Sequence, residues 1–407
     1  MDRKGKYARF AIVTVLVISL QQNCAKKDSE FLETHFSESI SLQGNPPSGF
    51  SNLEKSLDPN SCGTCHPTQW NRWKDSFHAK AVGSGILWEL PRLTLAESQK
   101  CLRCHSVLPE TKEYIVEQVG HPANLSQTWA AYIPKGVETN GVFCASCHVR
   151  NHVRFGPPKI LENSNVAISE VSSEKASLKP HNGFQVRKEY ESSEFCKSCH
   201  ESPDSGKRTN GKKYMETYSE WKESVFSRDT ITCQNCHMPN RLHEWKGIHD
   251  SEFTKKGIEV DFQIVSETET QLSIHSKNIG HKFPTYLVPQ IFVKVYSEKK
   301  GQPRKSLLQE RIGRYFDLDL QVEEFDTRIH PKEKRIYKVP INKKELQNSK
   351  IVVELFIQPD EYYIRRFVAN LQNRERFQIS DFSKKHLEQS LQEKKKSEYS
   401  LFYEFQF

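Results

Sequence analysis

Between residues 62 and 237, two cysteines separated by two residues and followed at once by a histidine occur five times. The copies are Cys62-Gly63-Thr64-Cys65-His66, Cys101-Leu102-Arg103-Cys104-His105, Cys144-Ala145-Ser146-Cys147-His148, Cys196-Lys197-Ser198-Cys199-His200 and Cys233-Gln234-Asn235-Cys236-His237. Two thiols on one helical turn can add across the two vinyl groups of a haem, and the adjoining histidine is then held over the iron as an axial ligand. A lone Cys-x-x-Cys pair would also suit half a zinc site or a thioredoxin-like redox pair. Repetition separates these readings. Zinc gives no reason for a histidine always to follow the second cysteine, and chance would supply roughly 0.01 copies in a chain of this length. The motifs therefore imply five covalently bound c-type haems, with His66, His105, His148, His200 and His237 as proximal ligands.

What closes the other face of each iron decides the chemistry. Met1 belongs to a segment expected to be removed, which leaves Met215 and Met238. Met238 adjoins a proximal histidine and cannot readily reach round to the opposite face of the same haem. Histidine is the abundant alternative, and two imidazoles hold the potential lower than a histidine-methionine pair does. Outside the motifs, His35 falls in a polar stretch, His386 on a charged helix, His275 on the polar side of a strand and His330 before Pro331 in a charged loop. These four read as surface or ordinary residues. His78, His121, His152, His181, His243, His249 and His281 remain as candidates.

The elements that must position these groups are set by an unusual composition. Of 407 residues only 36% are hydrophobic, and the mean hydropathy is −0.70, low for a soluble globule. Five porphyrins would make up the deficit, because each is a large apolar body for side chains to pack against. The formal charge of +8 falls to about +5 once a leader carrying Arg3, Lys4, Lys6 and Arg9 is removed. Ten haem propionates are the simplest use of that excess. Dispersed lysines and arginines without a binding motif give no reason to expect nucleic acid.

Residues 1–24 read as an export signal and lipoprotein segment: a basic head to Arg9, an apolar run from Phe10 to Leu20, then Gln21-Gln22-Asn23-Cys24. The run is short for a membrane span. Cys24, the one cysteine outside the motifs, stands where a lipid anchor would be attached, which implies a periplasmic or outer-membrane-associated lipoprotein. Residues 25–60 read as a polar linker and 61–256 as the haem region, with short helices and long loops. Helical stripes are expected at Trp70, Trp73, Phe77 and Ala81 and at Tyr218, Trp221 and Val225. From residue 257 the pattern becomes alternating: Val260, Phe262 and Ile264, Leu272 and Ile274, Ile291, Val293 and Val295, Val339 and Ile341, and Ile351 to Ile357. This predicts a β-sandwich over 257–375, so the fold class is α+β, followed by a basic helical tail at 376–407 whose Lys394-Lys395-Lys396 reads as a solvated face.

Several stretches resemble the cytochrome c-554 group of multihaem c-type cytochromes. They are Trp73-Lys74-Asp75-Ser76-Phe77-His78-Ala79, Cys144 to Arg150, Ser193-Glu194-Phe195-Cys196, Cys233 to Pro239, His243-Glu244-Trp245-Lys246-Gly247-Ile248-His249-Asp250 and Asn278-Ile279-Gly280-His281-Lys282-Phe283-Pro284-Thr285-Tyr286. The resemblance covers roughly Cys62 to Val295. It implies that His78, His181, His243, His249 and His281 are the distal iron ligands, with His121 and His152 in reserve. It also implies that His281, flanked by Gly280 and Pro284, projects from the β domain into the haem region.

Two functional readings follow. Five closely spaced bis-histidine haems, with motifs 37 to 52 residues apart, would pass electrons between redox partner proteins. The same broad group also resembles hydroxylamine oxidoreductase and the multihaem nitrite and tetrathionate reductases, in which one iron keeps an open position. No motif here replaces its proximal histidine with lysine, which favours the electron carrier.

Overall fold

The computed structural model describes residues 30–121, 140–158, 181 and 184–407. The signal segment and Cys24 lie outside the described residues. In the first half the described helices are short, and four of them end at the motif they carry. α1 (Pro59–Gly63) begins at Asp58, whose side chain accepts from the Asn60 amide, with proline at its first position. α2 (Pro67–Trp73) follows directly, with His66 at its N-cap. α3 (Ser84–Leu87) is a single turn. α4 (Leu95–His105) starts with a reciprocal Thr94–Glu97 capping box, and α5 (Pro109–Gln118) packs on it. α6 (Cys144–His148), α7 (Ser193–His200), α8 (Thr217–Glu223) and α9 (Cys233–His237) follow. In α4, α6, α7 and α9 the motif histidine is the last helical residue.

The stripe expected through Ala81 is interrupted. α2 ends at Trp73, which is buried, whereas Phe77 is 59% exposed. The chain turns there, with the Ser76 hydroxyl accepting from the Ala79 amide. Side-chain packing in this half is divided among small clusters. One joins Leu57, Trp73, Leu108 and Phe143, and another joins Val82, Leu90, Leu102, Ile115 and Val116.

From Ile258 the chain forms eight antiparallel strands in two sheets. They are β1 (Ile258–Ile264), β2 (Thr270–Ser276), β3 (Gln290–Lys299), β4 (Lys305–Phe316), β5 (Glu323–Asp326), β6 (Lys334–Val339), β7 (Ser349–Gln358) and β8 (Tyr399–Gln406). The sheet orders are β5-β4-β3-β7-β8 and β6-β2-β1. Period-two alternation sends one side of each strand inward. Ile291, Val293 and Val295 stand opposite Ile357, Leu355 and Val353 across the β3/β7 ladder. With Phe262, Leu272 and Ile274 of the smaller sheet they form one continuous core.

Two boundaries differ from the sequence reading. Residues from 30 onward pack on the haem region rather than hanging free: Leu32 and Phe36 cluster with Val107, and the Gln43 amide donates to Glu110 Oε1 at 2.5 Å. The tail is a helix followed by a strand. After α10 (Glu361–Gln372) and α11 (Asp381–Lys396), β8 adds to the edge of the larger sheet along the whole length of β7. α10 and α11 in turn grip the haem region. Phe367, Ile379 and Leu387 enclose Trp88, and Ser84 Oγ donates to Glu393 Oε2 at 2.9 Å. No described helix is long and apolar enough to cross a membrane.

Candidate haem sites

Eight histidine rings face each other in pairs. His66 and His181 have ring centres 6.1 Å apart and 19° from parallel. The other pairs are His78 with His200 at 6.1 Å and 46°, His148 with His243 at 6.2 Å and 38°, and His237 with His281 at 6.3 Å and 10°. Each pair joins one motif histidine to one of the expected distal residues. Two imidazole nitrogens about 2.0 Å from a shared metal, with ring centres ~1.2 Å behind them, would place those centres roughly 6.4 Å apart. The pairs therefore leave the gap that an iron would fill.

Local hydrogen bonds set the orientation of several rings. The Nδ1–H groups of His105, His148 and His237 donate to the carbonyls of Ala81 (2.7 Å), Phe155 (2.8 Å) and Lys246 (2.7 Å). His243 and His281 donate likewise to Arg241 and Lys282, both at 2.9 Å. An Nδ1 proton committed to a carbonyl leaves Nε2 with its lone pair free for a metal. The Nδ1 atoms of His78 and His181 are buried without a hydrogen-bond partner, which costs about 1–3 kcal/mol unless something meets them. His105 and His200 are exposed to water, yet surrounding protein desolvates them enough to lower their pKa. Side chains lining an interior space of haem size would show that combination.

The motif thiols meet across motifs. Cys62 lies beside Cys144, Cys104 beside Cys199, and Cys196 beside Cys233. The neighbouring thiol lowers one partner of each pair, Cys104 and Cys233 to about 7. All ten are free thiols. The contacts make neighbours of the first and third motifs, the second and fourth, and the fourth and fifth. Cys147 also acts on Cys196 and Cys199, which places the third motif beside the fourth. Lys112, close to Cys104 and Cys199, is lowered by burial and makes no ion pair with a described residue. The cysteines and the paired imidazoles together fit covalent haem.

His249 does not join a pair. Its Nε2 lies 2.9 Å from Asp360 Oδ2, and its ring packs 4.3 Å from Phe77. His105 meets no other histidine ring, although all sixteen histidines are among the described residues. The reserve candidates are held elsewhere: His121 Nε2 lies 3.0 Å from the Leu90 carbonyl, and His152 Nε2 donates to the Gly44 carbonyl at 2.9 Å. His35, read from the sequence as a surface residue, is 2% exposed. Its Nε2 donates to the Cys147 carbonyl at 2.7 Å, and burial followed by the charge of Arg150 lowers its pKa to about 3. No local periodicity signals such a contact, because its partner lies 112 positions away.

His281 is carried by the segment between β2 and β3 and is tied to the haem region around it. The Lys282 amide and the Thr285 hydroxyl both donate to Glu220 Oε2 at 3.2 Å. Arg328 locks the same carboxylate from the sheet side at 2.7 Å.

Residues 61–149 match the family model described as cytochrome c554 and c-prime. Among solved structures, a penta-heme cytochrome c552 from Thermochromatium tepidum superposes with a TM-score of 0.52 at 17% identity, over 76% of this chain and 93% of that one. No curated protein matches.

Proposed function

We propose that this chain, a multihaem c-type cytochrome of the cytochrome c-554 family with covalently bound haems, passes electrons between redox partner proteins through five haems, four of them ligated by two histidines. The observation that carries this is the set of four imidazole pairs at 6.1 to 6.3 Å. In each of the four, His66, His148, His200 or His237 is the proximal ligand, and His181, His243, His78 or His281 respectively is the distal one. An iron held between two imidazoles is low-spin and offers no place for substrate. Without methionine its potential stays low. The thiol contacts support a set of neighbours for that transfer: the first haem beside the third, the third beside the fourth, and the fourth also beside the second and the fifth.

In this reading the protein is exported before haem is attached, and Cys24 carries a lipid that holds it at a membrane surface. Radiolabelled palmitate should be incorporated by the native chain and not by Cys24→Ser. The electron-transfer reading is tested by electron paramagnetic resonance of the oxidised protein at a haem-to-protein ratio of five, set by alkaline pyridine spectroscopy. At least four low-spin haems are expected. A high-spin majority, or three haems or fewer, would overturn it.

A further inference from the structure

Resting on the bis-histidine reading, we propose that Trp245 is a positioning residue for two haems at once. Its indole turns the distal imidazoles of His243 and His78 out of parallel with their proximal partners, and so gives the third and fourth haems an axial geometry that the first and fifth do not share.

The four imidazole pairs fall into two kinds. His66 with His181 and His237 with His281 lie 19° and 10° from parallel, whereas His148 with His243 and His78 with His200 are turned by 38° and 46°. The difference follows what stands beside the distal ring. Among the described residues, His181 and His281 meet no aromatic ring except that of their partner. Trp245 meets His78 with ring centres 4.3 Å apart at 63°, and His243 at 5.0 Å and 83°. Both contacts are edge-to-face, an arrangement favoured because the negative face of one ring attracts the positive edge of the other. An imidazole can turn about its bond to iron, so a contact of fixed angle at its side selects one setting.

His78 has little else to set it. Its Nδ1 is buried without a hydrogen-bond partner, whereas Nδ1 of His243 donates to the Arg241 carbonyl at 2.9 Å. The indole supplies to His78 the orientation that a carbonyl supplies elsewhere.

Trp245 is itself held in place. It packs on the cluster of Leu57, Trp73 and Phe143, and its φ of 45° lies in the left-handed region that a bulky residue rarely adopts. Such a conformation persists only where the surroundings over-determine it. On one side Glu244 pairs with Arg72 at 2.8 Å, and on the other the Lys246 carbonyl accepts from His237 Nδ1 at 2.7 Å. One run of four residues thus reaches the third haem through His243, the fourth through His78 and the fifth through His237.

The angle has an electronic consequence. Parallel imidazoles split the two iron orbitals that share the unpaired electron of a low-spin ferric haem, and turned imidazoles leave them closer in energy. The first kind gives an ordinary rhombic paramagnetic resonance signal, and the second moves the largest g value upward.

The test uses the full haem-loaded chain, oxidised, in electron paramagnetic resonance. Of the four paired haems, two should show a raised largest g value and two an ordinary rhombic signal. Trp245→Leu should bring the raised pair down to rhombic values and leave the other two in place. Trp245→Phe, which keeps an aromatic face, should restore the raised pair at least in part. Trp70→Leu, which opens the same cluster, should leave the raised pair where it is. A haem ratio of five shows that each variant is fully loaded. Four native signals of one kind overturn the proposal before any substitution is made, and so does a raised pair that stays unmoved in Trp245→Leu. A shift in Trp70→Leu as large as in Trp245→Leu would reduce the effect to general packing and overturn it too. Fewer than four low-spin haems in the native protein is the separate result that removes the bis-histidine reading, and this proposal with it.

Discussion

The haem region and the sheet domain solve the same problem with different materials. In the sheet domain one cluster runs unbroken from Ile258 to Leu401 and draws on both sheets, with Ile291, Val293, Val295, Val353 and Ile357 fully buried. In the haem region the side chains form small clusters of three to seven buried residues, and four motif histidines stand about 6 Å from a second imidazole. A domain that buries its own apolar residues can hold its shape by itself. A region whose cores are fragments needs another body among them, and five covalent haems would supply it.

The comparison breaks most visibly if haem is withheld. Produced without haem attachment, the chain should lose amide protection over Pro59–Trp73, Leu95–His105 and Ser193–His237, while Ile258–Ser276, Gln290–Phe316 and Ser349–Gln358 stay protected in hydrogen exchange. Equal loss in both halves would mean that the sheet domain depends on the haems. Equal protection would mean that they are not the core of the first half.

What could be read from the chain in advance follows the same division. The five motifs are local, and so is the alternation of Leu272 with Ile274 or of Ile291 with Val293 and Val295, so both were legible. The long-range fits were not. Residues 30–56 are polar, but their few apolar members, Leu32 and Phe36, find Val107 and Phe195 far along the chain. The Lys394-Lys395-Lys396 run looked uniformly solvated, yet Lys394 turns in to Asp360 across 34 positions, and His249 bonds to the same carboxylate across 111. Tyr399–Gln406 alternates well enough to be a strand, but its short run behind a basic helix hid that it finishes the larger sheet. Family resemblance singled out five histidines that hydropathy alone could not rank: four of them lie opposite motif histidines, and the fifth, His249, meets Asp360 instead.

A second substitution sharpens the contrast from the other side. Leu355, 1% exposed and opposite Val293, sits in the core between the sheets. Leu355→Ala should destabilise the sheet domain by about 2–5 kcal/mol, because a packed core collapses only partly into the space left. Thermal unfolding followed in the far ultraviolet should show the loss, with the haem ratio unchanged at five. Loss of haem in step with it would mean that the domains fold as one unit.

The smallest effect is expected where the two halves meet. Asp326 accepts from Arg328 at 2.8 Å and from Lys212 at 2.8 Å, and Arg328 reaches on to Glu220 beneath the His281 segment. Burial opposes ionisation of Asp326, but Arg328 and Lys212 outweigh it, so its pKa lies well below the usual carboxylate range. A lowered folded-state pKa contributes stability that is present above the unfolded value near ~4 and fades as pH falls through the folded value. Native protein should therefore lose stability below about pH 4, and Asp326→Asn should be weaker by roughly 1–3 kcal/mol at neutral pH with a flatter decline in acid. Urea unfolding at pH 7 and pH 3.5 would measure both. If the variant shows the same acid slope as the native chain, the seam between the regions is held by packing and by other contacts, and this charge network adds nothing to it.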